Sequence, residues 1–239
     1  MPTVSEIKEK YNTGDNLNGE KIKNLIDDIA SIIPKGTENG ILTGEGQPNN
    51  RQTAPPGTLY HDRTRVMGAS IWVKTEGTGA TGWEVVVGNT GQREIPVKNN
   101  NGAKVFMQRV GNVVTVTFGG GTYGWFSLNE TKVKSDGWAV AQKGPDLWLK
   151  LTPDGPNNRN EFIPLGFRSK APLTVGVYDD NSKLIGSMYY GGDADSNALQ
   201  LRFPNMTKDK LTDKFLKELR PGFFTYLTNE SWPTDFRIN

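Results

Sequence analysis

The chain has 239 residues, with 28 Gly, 14 Pro, one His and no Cys, and a formal charge of +2 from 28 basic and 26 acidic residues. Without Cys there is no disulfide scaffold, thiolate zinc site, iron–sulfur cluster or thiol nucleophile, and a single His excludes a multi-His metal site within one chain. A charge this close to balance gives no field that argues for nucleic acid or an anionic membrane. Gly and Pro fill 42 of 239 positions, roughly 18% against about 12% on average, so short elements with frequent turns are expected.

Met1 to Lys10 carries Glu6, Lys8, Glu9 and Lys10 and no apolar core, so no secretory leader is expected. No run approaches the ~20 apolar residues of a membrane helix, and no membrane partner is expected.

The first periodic element lies at Ile22, Leu25, Ile26, Ile29, Ile32 and Ile33, one stripe at the helical period. Asn18 is placed to cap it, Glu20 sits in the first turn, and Pro34 with Gly36 ends it. A helix of about 15 residues is marginal alone, so the stripe must be covered. In heptad register Ile22 and Ile29 share one core position, and Leu25 and Ile32 the other. That pattern leans toward three strands. The alternative is a helix packed on its own domain. Residues 1–36 therefore read as a helical trimerisation segment.

Residues 37–56 are Gly, Asn, Thr, Gln and Pro with two apolar side chains, Ile41 and Leu42. They read as a linker, or as an extended strand running along a partner. Residues 57–91 read as a small β-hairpin neck: Gly57 to Tyr60, then Ala69 to Thr75 and Gly82 to Val87, with Trp72 and Trp83 as anchors. Gly77-Thr78-Gly79-Ala80-Thr81-Gly82 formally matches a dinucleotide fingerprint. A strand follows it instead of the helix that such a site needs, so it reads as a hairpin loop and no cofactor is expected.

Residues 92–239 continue as strands and read as a C-terminal head. The clearest are Lys104 to Val110 and Val113 to Phe118, joined by Gly111-Asn112, a two-residue hairpin signal. Further strands are expected at Gly137 to Val140, Leu147 to Leu151, Leu173 to Tyr178, Leu184 to Tyr190 and Ala198 to Phe203, with one helix over Lys208 to Leu219. Many short strands at this spacing make the head a β-barrel or sandwich and the whole chain mainly β.

Pro56-Gly57-Thr58-Leu59-Tyr60-His61-Asp62, with Trp72-Val73-Lys74-Thr75 and Gly77 to Trp83, resembles a module of bacteriophage tail and baseplate proteins. The order of elements is similar to that of receptor-binding proteins of phages infecting Gram-positive bacteria. Arg109-Val110-Gly111-Asn112-Val113-Val114-Thr115-Val116 resembles the strand opening many such heads, and Ile163-Pro164-Leu165-Gly166-Phe167-Arg168 their mid-head "IP-x-GFR" connection. The resemblance implies a homotrimer with an N-terminal helix, a β neck and a β head. It also implies a place at the virion's tail tip, docking to other tail or baseplate proteins through the N-terminus, and non-catalytic attachment to a host cell-wall saccharide. This chain departs from the pattern in having its one His at His61, far upstream of the head, and in the stretch Lys208 to Leu219.

A saccharide site needs an aromatic ring beside carboxylates, amides or Arg. The best cluster is Tyr189 and Tyr190, of which strand alternation turns only one inward, with Asp193, Asp195 and Asn197 on the following loop and Arg202 on the next strand. Trp232, beside Asp235 and Arg237, is a second candidate, whereas Trp125, Trp138 and Trp148 read as core. The loop at Asp193 lacks the Gly and Glu of a calcium loop, having Ala198 and Pro204 instead, and no metal is expected. A structural baseplate or fibre scaffold, and a polysaccharide depolymerase using two carboxylates, stay open as alternatives.

Overall fold

The computed structural model describes residues 19–32, 41–98, 101–121, 124–135, 140–151, 162–191 and 199–236. The chain is mainly β, as the strand-length apolar runs predict. It forms two compact units, residues 1–63 with 71–84 and residues 64–70 with 85–239.

In the first unit, helix α1 spans Gly19–Ile32 with Glu20 in its first turn. Of its stripe, Ile22 is 44% and Ile26 59% exposed, and Leu25 is half-buried. The side chains of Ile29 and Ile32, and the expected cap and stop at Asn18, Pro34 and Gly36, lie outside the described residues. A four-stranded sheet has the order β1-β2-β3-β4, with β1 at Ile41–Gly44, β2 at Leu59–Asp62, β3 at Ala69–Lys74 and β4 at Trp83–Gly88.

The expected linker thus contributes a strand, and β1 pairs in parallel with β2 of its own chain, Ile41 opposite Leu59. A parallel pair needs a long crossover, and residues 45–58 supply it. They fold over Trp83. Asn49 exchanges two hydrogen bonds with the Trp83 backbone, and the Trp83 indole N–H donates to the Gln52 carbonyl at 2.8 Å. Tyr60 meets Trp83 edge-on at 5.8 Å, and buried Asp62 accepts from the Gly46 amide at 2.8 Å.

The loop matching the dinucleotide pattern is the β3–β4 hairpin loop. It turns two carbonyls toward a buried ammonium. Lys74, 1% exposed, donates from Nζ to the Gly79 carbonyl at 2.8 Å and to that of Thr81. Two carbonyls held on an ammonium are opposite in polarity to a phosphate cradle.

In the second unit, one antiparallel sheet has the order β13-β7-β6-β5, from β5 (Arg93–Pro96), β6 (Lys104–Val110), β7 (Val113–Gly119) and β13 (Phe223–Leu227). The other has the order β10-β11-β12-β9-β8, from β8 (Val140–Lys143), β9 (Asp146–Leu151), β10 (Leu173–Tyr178), β11 (Leu184–Tyr190) and β12 (Leu199–Phe203). Neither sheet closes into a barrel, and of the expected architecture the β-rich class is what is formed.

One core takes alternate residues from both sheets, among them Val105, Met107, Val114 and Val116 from the first and Leu147, Leu149, Met188, Leu201 and Phe203 from the second. Each side chain of this kind, fully buried, contributes about 1.5–3 kcal/mol. Two short helices, α2 (Glu130–Ser135) and α3 (Asp213–Lys217), add Val133 and Leu216. The single helix expected over Lys208 to Leu219 is therefore a 3-10 turn at Lys208–Lys210 followed by α3, whose Thr212 side chain caps the Phe215 amide. Leu211, Leu216 and Leu219 of this stretch are fully buried, and Phe215 is half-buried against the same core.

A buried cation ties this unit together. Alternation along β6 turns Arg109 inward beside Val105 and Met107, and it is 3% exposed. Its Nε donates to the Gly111 carbonyl at 2.8 Å, one terminal nitrogen to the carbonyls of Gly166 at 2.7 Å and Ser231 at 3.0 Å, and the other to that of Glu230 at 3.0 Å. The guanidinium also lies 4.9 Å from the Trp232 ring centre. Burial lowers its pKa to about 10, partly opposed by Glu230, so it stays charged at neutral pH and keeps all its donors.

The Glu230 carboxylate accepts from the amides of Gly166 at 2.6 Å and Arg168 at 3.1 Å. Gly166 sits at φ +85°, and a Cβ there would come within 2.8 Å of Pro233. Arg109→Met would strand four carbonyls at about 1–3 kcal/mol for each left buried and unpaired. A loss on the order of 3–5 kcal/mol in denaturant unfolding is expected, and a loss under about 1 kcal/mol would contradict this assignment.

Candidate functional site

The outer face of the five-stranded sheet gathers the polar and aromatic side chains that alternation turns away from the core. The register aligns Ser187, Arg202, Trp148 and Ala141 in one row, and Thr174, Tyr189, Gln200 and Lys150 in the next. The Trp148 and Tyr189 rings lie 5.2 Å apart at 35°, and both residues are half-buried.

Arg202 donates from Nε at 2.8 Å and from a terminal nitrogen at 2.5 Å to Oδ2 of Asp146, and from its other terminal nitrogen to the Tyr189 hydroxyl at 3.3 Å. Its guanidinium lies 5.7 Å, and the Lys143 ammonium 5.1 Å, from the Trp148 ring centre. The result is a ring pair rimmed by one carboxylate and two cations on a rigid sheet. Rings offer the apolar C–H face of a sugar a surface, and fixed donors and acceptors read its hydroxyls.

Tyr189 and Arg202 are brought together as the sequence suggested. Tyr190 is the inward member of its pair and is corrected as a ligand-facing residue. It is fully buried, its hydroxyl meets those of Tyr226 and the Met107 sulfur, and burial raises its pKa well above the ordinary tyrosine value. Asp193, Asp195 and Asn197 lie outside the described residues, as does Trp138.

Trp232 is also corrected. At 6% exposure, with Arg109 over its ring and its far edge against Gly88, it anchors the C-terminal segment and offers no open ring face. It does line, with Leu165, Gly166, Glu230 and Asp235, a cleft of about 700 Å³. Trp148 and Trp125, read as core, are at the surface, half-buried and 41% exposed respectively.

Sequence reasoning missed Trp148, Asp146 and Lys143. The available signal was alternation along Asp146-Leu147-Trp148-Leu149-Lys150-Leu151, in which the three Leu claim the inner face and leave Trp148 outside.

The Arg202 hydrogen bonds hold the Asp146 carboxyl below the usual aspartate range, and the Asn205 amide assists. The Tyr189 hydroxyl and then Asp146 raise Arg202. With a depressed folded-state pKa, the Asp146 contribution is complete above the ordinary aspartate value of about 3.9 and is lost as pH falls through the lower folded value. Tryptophan fluorescence of the folded chain is therefore expected to show no Asp146-dependent transition from pH 8 to 5. A step within that interval that Asp146→Asn abolishes would contradict the pairing. Compared with family models, curated proteins and solved structures, the chain matches none.

Proposed function

We propose that this protein is a tail-tip receptor-binding protein of a bacteriophage infecting Gram-positive bacteria, and that it attaches the virion to a host cell-wall saccharide without catalysis. The observation that carries the reading is the Trp148–Tyr189 ring pair with the Arg202–Asp146 pair at its rim. It joins the apolar and polar elements of a sugar site on one sheet face. Tyr189 and Trp148 would take the ring faces of the saccharide, and Lys143, Arg202 and Asp146 its hydroxyls.

The exposed Ile22 and Ile26 of α1 support the second part of the reading, a homotrimer joined through Ile22, Leu25, Ile29 and Ile32 and seated by its N-terminal segment in other baseplate or tail proteins. Among the described residues, no helix is long and apolar enough to cross a membrane. A shallow site on one sheet binds weakly by itself. Three heads per stalk and many stalks per tail tip convert weak contacts to stable adsorption by raising the effective concentration of each further site.

Two measurements test this. Sedimentation of the full chain is expected to give about three times 26.4 kDa, and a monomer at micromolar concentration would overturn the assembly. Trp148→Ala and Tyr189→Ala are expected to reduce adsorption to host cells at least tenfold, equivalent to about 1.4 kcal/mol per site, while the oligomer stays intact. Unchanged adsorption would remove the face as the site. Release of reducing sugars from wall polysaccharide would point to a depolymerase, and capture of tail proteins without cell binding to a scaffold.

A further inference from the structure

A second surface of the same unit carries a cation with its binding capacity unspent. Arg220 lies between two backbone bridges. Phe126 pairs with Leu219, which sets Trp125 beside Arg220, and Arg220 exchanges both backbone hydrogen bonds with Tyr178, at 2.8 and 3.2 Å. The Arg220 guanidinium stacks on the Trp125 ring at 3.6 Å.

Stacking uses the flat face of a guanidinium and leaves the five N–H donors at its edge. Among the described residues, none of those donors meets an acceptor, and Nε is both buried and without a partner. Among the described residues, two other guanidinium groups held against Trp rings have partners at their edges, Arg109 four backbone carbonyls and Arg202 the Asp146 carboxylate and the Tyr189 hydroxyl, which leave Arg202 part of its donor set. The buried Nε–H left open is unfavourable, and the two terminal nitrogens, which meet no acceptor among the described residues and are not buried, are the edge that a ligand beside the exposed ring can reach. Trp125 is 41% exposed, and Phe223, three residues along from Arg220, is 70% exposed.

From this geometry we infer that the Arg220–Trp125 pair is a binding site for an oxyanion, a carboxylate or phosphate carried on a ligand with a flat apolar face. The fork geometry of the guanidinium edge takes two oxygens of one anion, and the indole packs the body that carries it. Backbone bridges on both sides fix Arg220 in place, so no loop needs to order when the anion arrives. The site is separate from the Trp148–Tyr189 face and stands whether or not that face binds saccharide.

The test is NMR of arginine Nε–Hε groups in the full chain, with the Arg220 signal identified by its loss in Arg220→Lys. The probes are inorganic phosphate and D-glucuronate, with D-glucose and sodium chloride at matched ionic strength as controls. The Arg220 signal is expected to shift saturably in the millimolar range with at least one of the two anions, and to stay in place with glucose and chloride. A shift with glucuronate alone assigns a carboxylate ligand, a shift with phosphate alone a phosphate ligand, and a shift with both a site that reads charge and shape. Trp125→Ala is expected to weaken glucuronate binding several-fold more than phosphate binding. An Arg220 signal unmoved by either anion, or moved equally by chloride, would overturn the site.

Discussion

The second unit depends on burying one guanidinium. Arg109 sits where strand alternation requires an inward side chain, and an inward charge is tolerated only with its donors satisfied. The chain supplies carbonyls from three distant places, Gly111 at the hairpin, Gly166 in the mid-head connection, and Glu230 with Ser231 near the C-terminus. Three segments far apart in sequence are thereby fixed to one point. Glu230 reinforces this by holding the Gly166 and Arg168 amides with its carboxylate while giving its carbonyl to Arg109. The two short motifs in the head, around Arg109-Val110-Gly111-Asn112 and Ile163-Pro164-Leu165-Gly166-Phe167-Arg168, are thus two halves of one contact.

The two proposed binding surfaces follow from the same division between inside and outside. Once Leu147, Leu149, Leu201, Met188 and Tyr190 are committed to the shared core, Trp148, Arg202 and Tyr189 must stand on the opposite face of the same strands. Their mutual contacts then come from register alone, because Trp148 is opposite Arg202, and Tyr189 opposite Gln200. At the Trp125–Arg220 corner, two isolated bridges do the same work that a full ladder does on the sheet face.

Much of this is legible in the sequence where the pattern is local. Strands β6, β10 and β11 fall on the residues that alternation and turn signals mark, and the Gly111-Asn112 turn carries φ +55° at Gly111. What escapes is set by distant partners. Strand β1 has two apolar residues and exists because β2 offers an edge. Strand β13, Phe223–Leu227, follows a Pro-Gly pair and alternates only weakly, and its pairing with β7 decides it. Helix α2 is one turn and a half, nucleated by the Asn129 side chain on the Lys132 amide. The alternation rule allowed one outward tyrosine at 189 or 190 but not which, because the choice rests on the Tyr190 contact with Tyr226, 36 residues away. Trp232 looked like a ligand platform because nothing near it in sequence reveals the guanidinium that covers its ring.

The central claim is that the Trp148–Tyr189 face meets the saccharide. Its most direct measurement is fluorine NMR of protein with all six Trp replaced by 5-fluorotryptophan, titrated with saccharide released from host cell walls and assigned with Trp148→Phe. The account predicts that the Trp148 signal shifts saturably while those of buried Trp72, Trp83 and Trp232 hold their positions. A static Trp148 signal at saccharide concentrations that block adsorption would contradict it.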